Sequence, residues 1–402
     1  MAPRFLRLAL VLGLVSAIGP FAIDMYLPAL PSIGQDLDAS ISAVQMSLLV
    51  FFIAMGAGQI VAGPISDMFG RKTPLFFGLG LFAIGGIGSA LAPSIEWLIA
   101  FRFVQGLGAC AGTVIPRAIV RDLHTGSEAA RLMSLLMLVF SVSPILAPLV
   151  GSIVIEAFSW RAVFWVVTGA AAFAAILIAT SLEETRHAEH RAASSFRSAL
   201  SGYRLLMGDW KFLGLVFIGA FGISSFFIYL ASSSFILIDH YGLSPSRYSL
   251  FFAMNAVSFI GMSQFTGWFA DRFGLGRVVR VAVTGYAATM LLLFVAVASG
   301  VDRLDVLASL LLIGYGFLGL VIPSTAVLAL EDHGPIAGTA SALMGTLQVA
   351  TGAAAMAVVG LFFDGTSLPM VAGIAACAVI SFTLAHLTLG RRRAKAAKAP
   401  AE

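Results

Sequence analysis

Long apolar runs recur twelve times along the chain, at about 7–30, 44–65, 74–93, 97–119, 132–155 and 161–181, then 211–238, 247–270, 279–299, 305–330, 337–363 and 368–389. A hydrocarbon layer about 30 Å thick takes roughly 20 apolar residues to cross as a helix, because each backbone N–H and C=O must find its partner inside the segment. Each run is of about that length, so the chain reads as an all-α integral membrane protein of twelve transmembrane helices, six and six. Composition agrees: 59% of residues are hydrophobic and 11% charged, against about 25% charged in soluble domains, and the mean hydropathy is +0.98.

A polar stretch, EETRHAEHRAASSFRSALSGYRLLMGD, separates the two sets. It defines an N-terminal six-helix bundle over 1–182, a linker over 183–210, a C-terminal six-helix bundle over 211–390 and a basic tail over 391–402. Placing the N-terminus inside puts all but Arg102, Arg161, Arg247 and Arg303 of the 24 Lys and Arg residues on the cytoplasmic side. By the positive-inside rule both termini are therefore cytoplasmic. The net charge of +4 gathers at loop ends rather than on a basic surface, so no nucleic-acid partner is expected. Arg4 and Arg7 precede a run too long for a signal peptide, and LPALP offers no small-residue cleavage pattern, so that run is taken as a retained first helix. Cys110 and Cys377 lie in apolar runs of different halves and offer neither a disulfide framework nor a metal cluster.

Part of the chain repeats. Gly63, Asp67, Phe69 and Gly70 of GPISDMFGRK recur 204 residues later as Gly267, Asp271, Phe273 and Gly274, both copies in short polar gaps. Self-similarity at half the chain length points to two halves built alike, a pattern of membrane transporters. The copies differ where Leu275 and Gly276 stand opposite Arg71 and Lys72, with Arg277 following, so the two are expected not to be equivalent. No GxxxxGK[ST] string occurs, and no catalytic motif or intramembrane nucleophile and base pair is found. The chain is expected not to be an enzyme and to use no cofactor; transport is passive or driven by an ion gradient.

Charges inside the membrane mark the coupling site. Asp24, within FAIDMYLPALP, is the one acidic residue placed in a helix interior, and Arg102, within FRFVQGLGACAG, the one basic residue. Asp24 either exchanges a proton or binds a substrate cation, or else it meets water near a break made by Pro28 and Pro31. Arg102 either poises a neighbour, with Gln105 in reach, or snorkels to the surface. Gly106, Gly108 and Gly112, and Gly314, Gly316 and Gly319, offer close helix contacts. Pro144 and Pro148 predict a kink in the fifth helix.

These segments carry a resemblance. GPISDMFGRK looks like the loop 2-3 signature of the major facilitator superfamily, RFVQGLGA like its helix 4 signature, and SPILAPLVGS like the helix 5 segment of its drug:proton antiporters, with Ser143, Ala147 and Ser152 where glycines are usual. IDMYLPALP and ALEDHGPIAGTASALMGTLQ are similar to the Bcr/CflA subgroup of bacterial drug exporters, relatives of which handle bicyclomycin or amphenicols. The likeness covers essentially the whole chain. Some related exporters carry a second acid early in helix 1, where this chain has Ser16 and Ala17.

The resemblance implies proton-coupled efflux of small amphipathic drugs across the bacterial inner membrane by alternating access of two six-helix bundles. The alternative is a transporter of a physiological metabolite. It implies protons and a small molecule as the transported species; a monomer in the bilayer is expected because one chain contains both halves, and no metal is expected. Asp24 and Arg102 carry coupling; Tyr26, Gln105, Phe226, Tyr229, Asn255 and Tyr315 line a central cavity. Asp67, pairing with Arg71 or Arg121 and approaching a helix N-terminus, is expected to latch the halves at the cytoplasmic gate, Asp122 extending the network to Arg71 or Lys72.

Overall fold

The structure, a computed structural model, describes residues 3–123, 126–186, 196–333 and 336–396. The middle of the expected linker, 187–195, and the end of the basic tail lie outside them. All regular structure among the described residues is helical. In chain order the helices are α1 (Pro3–Asp24), α2 (Leu30–Asp36), α3 (Ile41–Phe69), α4 (Lys72–Ala90), α5 (Ile95–Leu123), α6 (Gly126–Ala157), α7 (Trp160–Ser181) and α8 (Phe196–Met207). They continue with α9 (Trp210–Ser234), α10 (Pro245–Gln264), α11 (Thr266–Phe273), α12 (Leu275–Ala298), α13 (Leu304–Glu331), α14 (Ala337–Leu361) and α15 (Ser367–Ala396). Among the described residues, ten helical segments are long and apolar enough to cross a membrane. The expected run at 132–155 lies in α6, whose side chains are described only in part.

Three expected spans are interrupted. The first ends as an α-helix at Asp24, passes through a 3-10 turn at Leu27–Ala29 and resumes as α2. Pro28 and Pro31 explain the restart, since each sits in a first helical turn where a missing N–H is harmless. The run at 247–270 is two helices, not one: α10 stops at Gln264 and α11 starts at Thr266. Arg247, Asn255, Ser263 and Gln264 dilute its apolar character. After α9 the chain widens into a π-turn at Phe235–His240. The fifth helix, in contrast, stays helical through both Pro144 and Pro148.

The chain forms two compact units, one of Met1–Phe196 with Leu237–Ala253, the other of Arg197–Ile236 with Met254–Glu402. In the first, α5 is the central packing element, and its glycines show why. A Cβ at Gly106 would stand 2.4 Å from the Phe51 carbonyl oxygen on α3, at Gly108 2.3 Å from the Phe82 nitrogen on α4, and at Gly112 2.8 Å from the Val15 carbonyl oxygen on α1. One helix is thus held against three neighbouring backbones at three points along its length, with dispersion and not apolar transfer as the driving force in lipid. In the second unit Gly319 of α13 does the same, its added Cβ falling 2.2 Å from the Phe259 carbonyl oxygen on α10.

These contacts give a direct test. Gly108→Ala is expected to destabilise the protein by about 1–3 kcal/mol, the usual range for overpacking, because backbone rather than a flexible side chain blocks the methyl. Gly80→Ala on α4, where an added Cβ meets nothing within 4 Å, is expected to be neutral or slightly stabilising. Thermal unfolding of the two variants in detergent compares them.

Candidate transport site and charge network

The break after α1 organises the membrane-buried polar residues of the first unit. As the helix tightens, the Met25 N–H bonds to Phe21 O but the Tyr26 N–H turns to Ile23 O at 3.2 Å. The Ala22 carbonyl, which an uninterrupted helix would have bonded to Tyr26, is left without that partner. Arg102 of α5 supplies one: Nη1 donates to Ala22 O at 3.3 Å and to Gln105 Oε1 at 2.8 Å. Non-helical backbone at membrane depth survives only where protein groups satisfy it in this way. Gly151 of α6 completes the enclosure, since a Cβ there would lie 2.4 Å from Met25 O.

Arg102 is fully buried; it does not snorkel. Its guanidinium carbon lies 4.2 Å from the centre of the Phe51 ring, 4.5 Å from Tyr26 and 5.8 Å from Phe164. Their negative ring faces hold the cation where carboxylates do not. Among the described residues Nε and Nη2 have no hydrogen-bond partner, nor do Gln105 Nε2 and Thr168 Oγ1. The Tyr26 hydroxyl lies 2.6 Å from Ser47 Oγ, whose own proton goes to Val44 O, so Tyr26 is the donor of that pair.

Asp24 is buried at the end of α1, and among the described residues its hydrogen bond is from Ser143 Oγ of α6 to Oδ2 at 3.4 Å. No cation forms an ion pair with it among the described residues, although Arg102 grips the carbonyl two residues earlier. A carboxyl group in this position, with a weak hydroxyl contact and no counter-ion among the described residues, is an expensive feature inside an apolar span and marks a functional position. Ser143, one of the small residues standing in for glycine in helix 5, is the partner the sequence left unassigned.

A second cluster surrounds Arg71, between α3 and α4. Its chain turns at Gly70, whose φ of 90° disfavours any residue with a Cβ. Arg71 is buried, with Nη1 on Asp67 Oδ1 at 2.6 Å and Ser66 Oγ at 2.8 Å, and with Nε and Nη2 on the two Asp122 oxygens at 2.7 and 3.1 Å. Burial opposes its charge, yet the hydrogen bond and charge of Asp122, then those of Asp67, outweigh it and raise the Arg71 pKa. Lys72 contributes its backbone and Gly63 its carbonyl, which accepts from Ser66 Oγ at 2.9 Å. Arg121 is exposed and is not a partner of Asp67.

The acid at a helix N-terminus is not Asp67. Glu184, just after α7, accepts the N–H of Arg71 at 2.8 Å and of Lys72 at 3.1 Å, filling the first donors of α4 and meeting the positive end of its dipole. Thr185 donates to Asp122 at 3.1 Å. Every partner named in this network belongs to the first unit, so it ties α3, α4, α5 and the segment after α7 to one another. Glu184→Ala is expected to lower stability by about 1–2 kcal/mol, the cost of a lost helix cap, with Glu183→Ala beside it as the unaffected control, both read by thermal unfolding.

The second copy of the motif builds nothing comparable. Asp271 closes α11 in an exposed position, Gly267 is on the same helix, and Gly274 turns with φ of 77° as Gly70 does. Asp271 and Arg277 form no ion pair among the described residues. The expected cavity residues of the second unit do meet: Asn255 donates to the Tyr229 hydroxyl at 3.0 Å, and Tyr315 donates to Ser225 O at 3.3 Å. The rings of Tyr229 and Phe226 lie 5.6 and 5.9 Å from that of Tyr315.

A buried carboxyl and guanidinium at a helix break, within ten apolar spans, define a multi-pass helical membrane protein of the kind that moves solutes. The family model described as Major Facilitator Superfamily matches residues 12–357. Over 391 residues the chain is 37% identical to an uncharacterized MFS-type transporter, YdgK, of Bacillus subtilis, covering 96% of both chains. Over 391 residues it is 32% identical to a bicyclomycin resistance protein homolog of Haemophilus influenzae, again covering 96% of both. Among solved structures, a D-xylose–proton symporter superposes with a TM-score of 0.72 at 17% identity, over 94% of this chain and 97% of that one, a likeness of fold. The protein belongs to the major facilitator superfamily.

Proposed function

We propose that this protein exports small amphipathic drugs across the bacterial inner membrane in exchange for protons, by alternating access, with both termini in the cytoplasm and the monomer as the working unit. The observation that carries the reading is Asp24: a buried carboxyl at a broken helix, contacted among the described residues by one hydroxyl and by no cation. Broken helices in transporters place substrate and coupling ions at such points. The kinship with a bicyclomycin resistance protein homolog gives the substrate class.

In this scheme a proton entering from outside neutralises Asp24 and favours drug release; loss of that proton inside restores the carboxylate and permits rebinding. The unfilled Nε and Nη2 edge of Arg102 offers hydrogen-bond donors to substrate acceptors, and Tyr26 and Gln105 lie beside it. The Arg71 network is the cytoplasmic gate element, holding its own unit rigid as it moves. One proton falling through about 100 mV and one pH unit releases about 3.7 kcal/mol, enough for several-hundred-fold accumulation of a neutral drug.

Purified protein in proteoliposomes tests this with bicyclomycin and an imposed pH gradient. Bicyclomycin is expected to accumulate on the acidic side and to dissipate the gradient as it does so. Accumulation on the alkaline side, or proton movement that ignores every drug offered, would instead identify a symporter or a carrier of some metabolite.

A further inference from the structure

The basic residues that follow the second motif copy line a groove that the transport reading does not use. Arg277, Arg280, Val281 and Thr284 fall at i, i+3, i+4 and i+7 on one face of α12. With Gly285 and with Phe317 from α13 they enclose an open groove of about 610 Å³. Gly285 sets its floor: a Cβ there would stand 2.7 Å from the Phe317 ring, so the ring lies directly on the α12 backbone.

The polar end of this groove is cationic and not neutralised. Arg277 is exposed, without an ion pair among the described residues. Arg280 donates through Nε to the Gly276 carbonyl at 3.3 Å, which fixes the side chain, and its Nη groups form no ion pair among the described residues. Among the described residues no carboxylate lines the groove, and the nearest acid in sequence, Asp271 on α11, is ion-paired with neither arginine. Thr284 Oγ1 donates to Arg280 O at 2.7 Å, so it presents lone pairs and no proton to the groove. The other end is apolar and lipid-facing. Val281 is 62% exposed, and Leu292 and Val295, at 58% and 59%, continue the exposed stripe along α12. Trp268 and Phe273, both exposed on α11, mark the level of the membrane boundary.

We propose that this groove is a binding site for an anionic phospholipid, its phosphate held by Arg277 and Arg280 and the start of an acyl chain lying on Val281, Gly285 and Phe317. Two arginines spaced one helical turn apart suit a phosphodiester, which Arg grips through two donors at once. Basic pockets between membrane helices take lipid headgroups for the same reason. A free phosphate would use the arginines but gain nothing from the exposed apolar stripe; a lipid uses both.

Native mass spectrometry of the full-length protein in detergent, with dioleoyl phosphatidylglycerol, cardiolipin and phosphatidylcholine offered in equal amounts, tests the site. The wild type is expected to retain the two anionic lipids in preference to phosphatidylcholine. Each arginine is expected to contribute a factor of about five to that preference. Arg277→Gln, at an exposed and unpaired position where folding is not at stake, should therefore reduce it about fivefold, and Arg277→Gln with Arg280→Gln should abolish it. Arg303→Gln, in a different loop, should leave it unchanged. Equal retention of the three lipids, or an undiminished preference in Arg277→Gln, would show that these arginines only anchor topology. Displacement of the lipid by inorganic phosphate alone would show a free-anion site and overturn the proposal in its lipid form.

Discussion

Asp24→Asn is expected to abolish uphill drug efflux while leaving the protein folded. The substitution keeps size and shape, and Ser143 Oγ can donate to the new amide oxygen as it does to Asp24 Oδ2. What disappears is the exchangeable proton. An ionised carboxyl in a membrane helix costs roughly 2.5–3.5 kcal/mol on insertion scales, and no ion pair among the described residues offsets that for Asp24. Its change of charge is thus the event to which a conformational equilibrium can be tied, and asparagine has none. Accumulation of bicyclomycin against its gradient should fall to background, whereas downhill counterflow, which needs binding and reorientation but no net proton movement, should persist. Asp36→Asn, at the exposed end of α2 where the carboxylate pairs with Arg161, is expected to transport nearly normally. Undiminished uphill transport by a folded Asp24→Asn protein would place proton coupling elsewhere.

How far the sequence disclosed this site depends on which force sets each part. Burial of apolar length is additive along the chain, so the spans are readable from composition, and a lone Asp or Arg inside one stands out because its cost is local. Pro28 and Pro31 made the break after Asp24 legible for the same reason, since proline acts on its own neighbours. Partners are another matter. The Ala22 carbonyl binds Arg102 only because the turn at Tyr26 leaves it free, and Glu184 caps α4 from 112 residues away. Nothing in a local window encodes either contact. The interruption at Phe265 was equally hidden, because α10 and α11 share one apolar run and no proline lies at the join. The motif repeat misleads slightly: Asp271 copies Asp67 in sequence, but the arginine that organises the first copy has Leu275 in its place.

The same arginine carries the largest stability effect. Arg71→Ala would leave Asp122, only 14% exposed, and the 40% exposed Asp67 facing each other without their shared cation. Removing one member of a buried ion pair costs about 3–5 kcal/mol, chiefly through the stranded charge; the exposure of Asp67 puts this case near the lower end, about 3 kcal/mol. For a unit of this size that is a fall of roughly 6–12 °C in the melting temperature. Arg71→Lys is expected to recover less than half of it, because an ammonium cannot span both Asp122 oxygens while reaching Asp67 and Ser66. If the stranded carboxylates are the cause, adding Asp122→Asn to Arg71→Ala should restore part of the loss, and a double-mutant cycle between the two positions should return a coupling of at least 1 kcal/mol. An Arg71→Ala protein as stable as the wild type would mean that Gly70 and the Glu184 cap alone fix the turn between α3 and α4. Transport measured on the same samples separates the two roles of the network: a gate element predicts loss of uphill efflux in the Arg71→Ala, Asp122→Asn double variant even after its stability has been partly restored, whereas a purely structural brace predicts that activity returns with the melting temperature.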